Sequence, residues 1–267
     1  MDLSAFISER VVSGQKLLAP YLCAGFPNPE ATLAILEALA DAGADLIELG
    51  VPFSDPLADG PVLQAASIRA LRAGMNLETT LEIAGQFQER RPTVPLVLMG
   101  YVNPILAMGR ERFASKASAA GIAGLLIPDL PPECEGLLQA PGLPPLIPFA
   151  APNTPIPRLE ALGERGAPFL YAVSVLGVTG TRDALSKNVP VFLARAKQHS
   201  GLPVLAGFGV SRPEQVPELA SVCDGVILGS ALAKALEAAD PAKLPGAAEA
   251  FLRPFRKALD AMGAPCC

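Results

Sequence analysis

The chain has 267 residues, 51% of them hydrophobic and 18% charged, with a formal net charge of -5 and a pI near 5.1. That size and apolar content can bury a large core, and α/β barrels of this length are commonly one domain, so a single domain over 1–267 is expected. The acidic balance argues against a nucleic-acid or anionic-membrane surface, which needs clustered Lys and Arg, so an anionic small molecule has to be caught locally.

From the N-terminus, Asp2 to Ser13 reads as a short amphipathic helix with Phe6, Ile7 and Val11 on one side, suited to plugging the end of a barrel. Asp2, Glu9 and Arg10 stand where a signal peptide needs its apolar region, and no later apolar run reaches bilayer length, which predicts a cytoplasmic protein. Leu17 to Ala24 is strand-like, Gly25 to Asn28 a turn, and Pro29 to Ala42 a helix with Leu33, Leu36 and Leu39 at helical spacing. This βα unit recurs. Segments in which glycine leads into an apolar run start near Asp41, Ala120, Arg165 and Val222, and further strands read at Val94 to Gly100, Leu143 to Phe149 and Leu202 to Gly207.

Helices are expected between them at Val62 to Ala73, Leu77 to Arg90, Arg110 to Ala120, Glu133 to Gln139, Ile156 to Arg165, Val189 to Ser200, Pro213 to Ala220 and Ala231 to Glu237, with a closing helix over Ala247 to Ala261. Eight continuous apolar strands alternating with helices predict a parallel sheet closed into a single (β/α)8 TIM barrel, with an extra N-terminal helix and extra helices. The Pro-rich stretch from Pro141 to Pro157 leaves room for a shorter strand there.

The second strand carries a carboxylate, Glu48, among Leu46, Ile47, Leu49 and Val51. Burying it ionised costs several kcal/mol unless it is paired or its pKa rises. Alternation puts Ile47, Leu49 and Val51 against the helices and Glu48 inside the barrel mouth, at the strand end where such barrels hold their sites. The loop that follows has three prolines, Asp55 and Asp59, so it is stiff and acidic, and Pro61 can open a helix. A raised Glu beside a fixed Asp suits general acid/base chemistry; a structurally hydrogen-bonded Glu with two turn or cap aspartates is the alternative.

Small residues close the seventh and eighth strands, in Ala206-Gly-Phe-Gly-Val210 and Leu228-Gly-Ser230, where helix N-termini offer free N–H groups to a phosphate or the chain simply turns tightly. The long connection Ser174 to Asp183, with Gly177 and Gly180, reads as a mobile lid that brings Thr179 or Gly180 to a substrate, or as an ordinary surface loop. Tyr21, Met99, Tyr101, Leu126 and Tyr171 fall near strand ends and together suit a pocket for a flat apolar ring, though taken singly each fits core filling better. Cys23, Cys134 and Cys223 stand apart, Cys266 and Cys267 form a tail, and His199 is the single histidine, so no zinc spacing arises; a GxGxxG after a strand and a P-loop are both missing.

The string Glu48-Leu-Gly-Val-Pro-Phe-Ser-Asp-Pro-Leu-Ala-Asp-Gly-Pro61 resembles the signature of the tryptophan synthase alpha chain family, and Gly177-Val-Thr-Gly180, Gly207-Phe-Gly209 and Gly229-Ser230 match it in order and spacing. The resemblance implies retro-aldol cleavage of indole-3-glycerol phosphate to indole and glyceraldehyde 3-phosphate, with no cofactor and no metal. Glu48 then resembles the acid/base, and Asp59 the carboxylate that holds the indole N–H. Tyr21, Leu126 and Tyr171 are similar to the indole pocket; Gly180, Gly209, Gly229 and Ser230 to the phosphate site; and Thr179 to the lid threonine that contacts the aspartate. The region from Cys134 to Pro157 departs from the family by being short and Pro-rich, and Val175-Leu176 by being apolar.

The family also implies a partner, a pyridoxal-phosphate-dependent beta chain in an alpha2beta2 heterotetramer. Pro52, Asp55 and Pro56 in the stiff loop, together with Pro131 and its neighbour Pro132, are where docking is expected. Another phosphosugar barrel enzyme and a catalytically silent binding homologue remain as rival readings; the first needs catalytic residues such as a strand lysine.

Overall fold

The computed structural model describes residues 1–173, 188–207 and 209–263. Gly177, Thr179 and Gly180 of the expected lid, and the Cys266-Cys267 tail, lie outside the described residues. Helix α1 (Leu3–Val12) is capped by the Asp2 carboxylate, which accepts from Ser4 N–H at 2.9 Å and Ala5 N–H at 3.2 Å. There follow β1 (Leu17–Cys23), α2 (Thr32–Asp41), β2 (Ile47–Gly50), α3 (Pro61–Arg72) and α4 (Leu77–Arg90). Then come β3 (Leu96–Met99), α5 (Val102–Met108), α6 (Arg110–Ala119), β4 (Ile122–Leu126) and β5 (Phe149–Ala150). The remainder is α7 (Ile156–Gly163), β6 (Leu170–Val173), α8 (Val189–Ser200), β7 (Val204–Gly207), α9 (Val216–Ala220), β8 (Gly225–Leu228), α10 (Ser230–Glu237) and α11 (Leu244–Gly263).

The strands pair in parallel in the order β4-β3-β2-β1-β8-β7-β6-β5, and a parallel bridge between Leu125 and Leu146 brings the two ends of that sheet together. This is the expected eight-stranded barrel, but its seam is thin. Leu125 N–H donates to Pro145 C=O at 2.9 Å and Ile147 N–H to Leu125 C=O at 2.8 Å. The expected strand Leu143 to Phe149 is instead a two-residue strand beginning at Phe149, because Pro144, Pro145 and Pro148 have no N–H to give a ladder. The expected helix at Glu133 to Gln139 is likewise a 3-10 turn over Pro132–Leu137, and α5 was not expected, Pro104 lying in its first turn where it breaks no bond.

Side chains sort by strand alternation into two layers. Ile47, Leu49 and Val51 face the helices, while Leu17, Ala19, Leu46, Val97, Leu126, Phe169, Leu205 and Ile227 fill the barrel, with Leu3 and Ile7 of α1 closing its bottom. No helix among the described residues is long and apolar enough to cross a membrane.

Below the plug the strand starts are tied by buried carboxylates. Asp45, just before β2, accepts from Leu18 N–H at 2.8 Å and from Arg256 Nη1 of α11 at 2.7 Å, while Gln15 Nε2 reaches its other oxygen at 3.1 Å. Asp224, before β8, accepts from Val204 N–H at 2.9 Å and Lys197 Nζ at 2.6 Å. Replacing Asp45 by Ala leaves the buried Leu18 N–H without its acceptor and takes one of two carboxylate partners from Arg256, which keeps Asp260 and the Lys16 C=O. It should cost about 1–3 kcal/mol, read as a lower urea midpoint at unchanged m-value.

Candidate active site

Above the inner layer the strand ends enclose a cavity of about 290 Å³. Its apolar wall comes from Met99, Phe149, Tyr171 and Ile227, with the Phe149 and Tyr171 rings 5.0 Å apart and tilted by 41°. Asp59 stands on one side of it, and Gly209, Gly229 and Ser230 form the other end. That is an aromatic slot with one acid and a glycine-lined mouth.

Glu48 lies on the inner face of β2, level with Tyr21 of β1 and Val97 of β3. It is 0% exposed, and neither carboxylate oxygen has a hydrogen-bond partner among the described residues. Burial pushes its pKa up to about 8, so the group is protonated at neutral pH. It does not itself line the cavity.

Asp59 reaches the cavity from the loop after β2. Asp59 N–H donates to Pro56 C=O at 3.0 Å and Gln64 Nε2 to Asp59 C=O at 2.9 Å, while buried Ser67 of α3 both accepts from Phe53 N–H and donates to Phe53 C=O. The carboxylate accepts from Tyr101 Oη at 3.0 Å, and that same oxygen accepts from Ala58 N–H at 3.1 Å. Burial raises the Asp59 pKa to about 6 against the opposing Tyr101 hydrogen bond, so it is mostly ionised at pH 7. Phe53 stacks on the Tyr101 ring at 5.0 Å. The two acids thus differ in protonation: Glu48 is the more deeply buried and has no donor among the described residues, while Asp59 starts from a lower carboxyl pKa and has the Tyr101 donor.

At the glycine end, α10 begins at Ser230 with no side-chain cap, so its first-turn N–H groups and positive dipole end are open to a ligand. Gly209 has φ 63°, in the left-handed region that favours glycine. No Lys or Arg is among the described residues around the cavity.

The structure therefore gathers Tyr21, Asp59, Tyr171, Gly209, Gly229 and Ser230 around one space, with Glu48 beneath it. Leu126 is fully buried in the inner layer, and Pro128, two residues on and on the same face, lines the cavity in its place. Among the docking residues Pro52 and Pro56 are buried against their own chain, while Asp55 and Pro131 are exposed.

A sequence model described as "Tryptophan synthase alpha chain" matches residues 8–259. The chain belongs to the tryptophan synthase alpha chain family. It is 44% identical to the tryptophan synthase alpha chain of Geobacillus kaustophilus over 93% of this chain and 94% of that one. It is 45% identical to that of Xanthomonas euvesicatoria over 97% and 98%. In structure it is similar to the Legionella pneumophila alpha chain, with a TM-score of 0.87 at 33% identity over 99% of both chains. It is also similar to a chain of Mycobacterium tuberculosis tryptophan synthase, with a TM-score of 0.86 at 33% identity over 96% and 97%. As a member of the tryptophan synthase alpha chain family it is a carbon–carbon lyase of tryptophan biosynthesis that cleaves indole-3-glycerol phosphate to indole and glyceraldehyde 3-phosphate.

Sequence reasoning on this alpha chain passed over Phe149 and Ile227 as cavity residues, and gave Tyr101 no part in holding Asp59. Strand alternation through Gly225 and Ile227 carried the signal for one, but the Tyr101 to Asp59 bond joins different loops and has no local signature.

The buried acid has a measurable cost. Its folded pKa near 8 exceeds the unfolded value of about 4.3, so the folded state binds the extra proton and stability falls as pH rises from about 4 to 8. Glu48→Gln removes this loss. The variant should be more stable than the parent by several kcal/mol at pH 9, with the difference closing below about pH 5, in urea titrations across that range.

Proposed function

We propose that Glu48 and Asp59 divide the cleavage of indole-3-glycerol phosphate between them, Glu48 moving protons and Asp59 holding charge. The observation that carries this reading is the isolation of Glu48, an acid kept neutral by burial alone on the inner face of the barrel beneath the cavity. Protonated Glu48 donates to the indole carbon that bears the glycerol chain. The positive charge that develops on the ring nitrogen is met by the Asp59 carboxylate, which accepts from the indole N–H. Glu48, now a carboxylate, takes the proton of the adjacent hydroxyl. The carbon–carbon bond breaks, its electron pair restores the aromatic ring, and the hydroxyl carbon becomes the aldehyde of glyceraldehyde 3-phosphate. Glu48 ends as it began, protonated, so no cofactor or metal is called for.

In this reading the indole ring lies among Tyr21, Tyr171 and Phe149, above Leu126. The phosphate lies at Gly209, Gly229 and Ser230, with Gly180 and Thr179 completing the site. A Cβ placed on Gly229 would sit in ordinary van der Waals contact with Leu63 and Tyr21, at 3.7 Å, so the chain's own packing does not require glycine there. Glu48→Gln should lower indole release by ~100 to 10,000-fold, since Gln keeps the size and loses the proton. Asp59→Asn should lower kcat with little change in KM, because the charge it offsets appears in the transition state. Near-normal turnover of Glu48→Gln in an indole-release assay overturns the assignment.

The same reading includes a cytoplasmic enzyme that docks a tryptophan synthase beta chain in an alpha2beta2 assembly, through the exposed parts of the loops at Asp55 and Pro131, with Pro52 and Pro56 stiffening the first. Leu57 supports that face: it is 81% exposed, although the loop around it is well tied down. Adding a cognate beta chain should raise indole release markedly, and Asp55→Ala or Leu57→Ala should weaken the rise without altering the turnover of the isolated chain. Unchanged turnover in a beta-chain titration, with no complex by size-exclusion chromatography, counts against docking.

A further inference from the structure

The inner face of β2 carries Glu48 and, two residues on, Gly50; the inner face of β1 carries Tyr21, whose Cα is level with Glu48. A Cβ built on Gly50 would lie 2.1 Å from Tyr21 Oη and 2.5 Å from Cζ, so the tip of the phenol occupies the space that a Gly50 side chain would take. The tyrosine thus leans from β1 across β2, one residue pair above the Glu48 carboxyl. Tyr21 lines the cavity, whereas Glu48 is 0% exposed and does not.

We propose that Tyr21, lodged in the seat left by Gly50, is a positioning residue that walls the Glu48 carboxyl off from the cavity and its water. This rests on the reading of Glu48 as the acid. It assigns Gly50 a role that differs from the phosphate glycines, since Gly50 serves a side chain of its own protein. The partition keeps water from solvating the carboxylate, so the proton stays on Glu48 until ring and carboxyl move relative to each other with substrate in place.

The surroundings leave little else to hold that proton. Tyr21 of β1 and Tyr171 of β6 are phenols on which the Glu48 charge acts, Cys23, Asp59 and Tyr101 act on Tyr21 as well, and β3 presents Val97. Burial is the influence that raises the Glu48 pKa.

The test is an infrared titration of the full chain, following the carboxylic-acid band that disappears in Glu48→Gln. Tyr21→Ala admits water, and the midpoint should fall by at least about one pH unit from its value near 8. Tyr21→Phe keeps the ring and should hold the midpoint. Gly50→Ala dislodges the ring and should shift the midpoint the same way, and Gly50→Ala combined with Tyr21→Ala should add nothing further. If Tyr21→Ala fails to fold, Tyr21→Leu replaces it. An unchanged midpoint in the small-residue variant, or a Tyr21→Phe shift as large as that of Tyr21→Ala, overturns the proposal. Because the band reports the carboxyl without turnover, a parent chain that released no indole would defeat the mechanistic reading and leave this measurement standing.

Discussion

An unpaired carboxyl inside an apolar barrel is a debt that the surrounding fold has to carry. Among the described residues Glu48 receives no hydrogen bond on either oxygen, yet it sits where strand geometry would accept a leucine at lower cost. What keeps it tolerable is neutrality, and neutrality depends on water staying out. The inner layer below and the aromatic rings above are therefore parts of one device. Tyr21 rests in the space of Gly50 and Tyr171 in that of Gly207, where a built Cβ would come within 2.6 Å of the ring. Two glycines at strand ends thus let two tyrosines lie across the barrel mouth, and the same glycine type serves a different end at Gly209 and Gly229.

Much of this was legible in the sequence because two of its signals are strong. Continuous apolar strands alternating with helices specify a parallel sheet, and a lone Glu within one of them stands out against that background. Alternation was enough to send Ile47, Leu49 and Val51 outward and Glu48 inward, as the two packing layers show. Reasoning from residues weakened wherever proline replaced periodicity. Between Pro131 and Pro148 the chain uses bridges and 3-10 turns, whose bonds are set by missing N–H groups and by distant partners rather than by a repeat. The α5 helix was passed over for the same reason: it is seven residues long and contains Pro104.

The parts of the site that the sequence concealed are those made by pairs. Leu126 and Pro128 share a face, and only the height of the inner layer decides which of them meets the cavity. Tyr101 looked like one more ring near a strand end, but its hydroxyl is a junction that accepts a hydrogen bond from the Ala58 N–H and donates one to Asp59. That bond stabilises the ionised aspartate and opposes the burial that raises its pKa, and together with the deeper burial of Glu48 it sets the two acids in different charge states within one small space.

The junction reaches further than Asp59. Val102, next to Tyr101, opens α5, and its N–H is held by the Asp129 carboxylate at 3.0 Å, in the loop after β4 that leads to Pro131. The loops after β2, β3 and β4 are thereby linked in series, from the exposed Pro131 end through Asp129, Val102 and Tyr101 to the carboxylate of Asp59. Two of these links are hydrogen bonds, Val102 N–H to Asp129 and Tyr101 Oη to Asp59, and the others are short runs of chain, so a surface that displaced the β4 loop would shift the donor that fixes Asp59. Asp55 and Leu57 are exposed in the loop that carries Asp59, only a few residues away along a proline-stiffened turn. A partner touching both loops would grip Asp59 from two directions without entering the cavity. Coupling from surface to site along this route needs no long-range rearrangement of the barrel, since every contact in it lies in the loops above the strands.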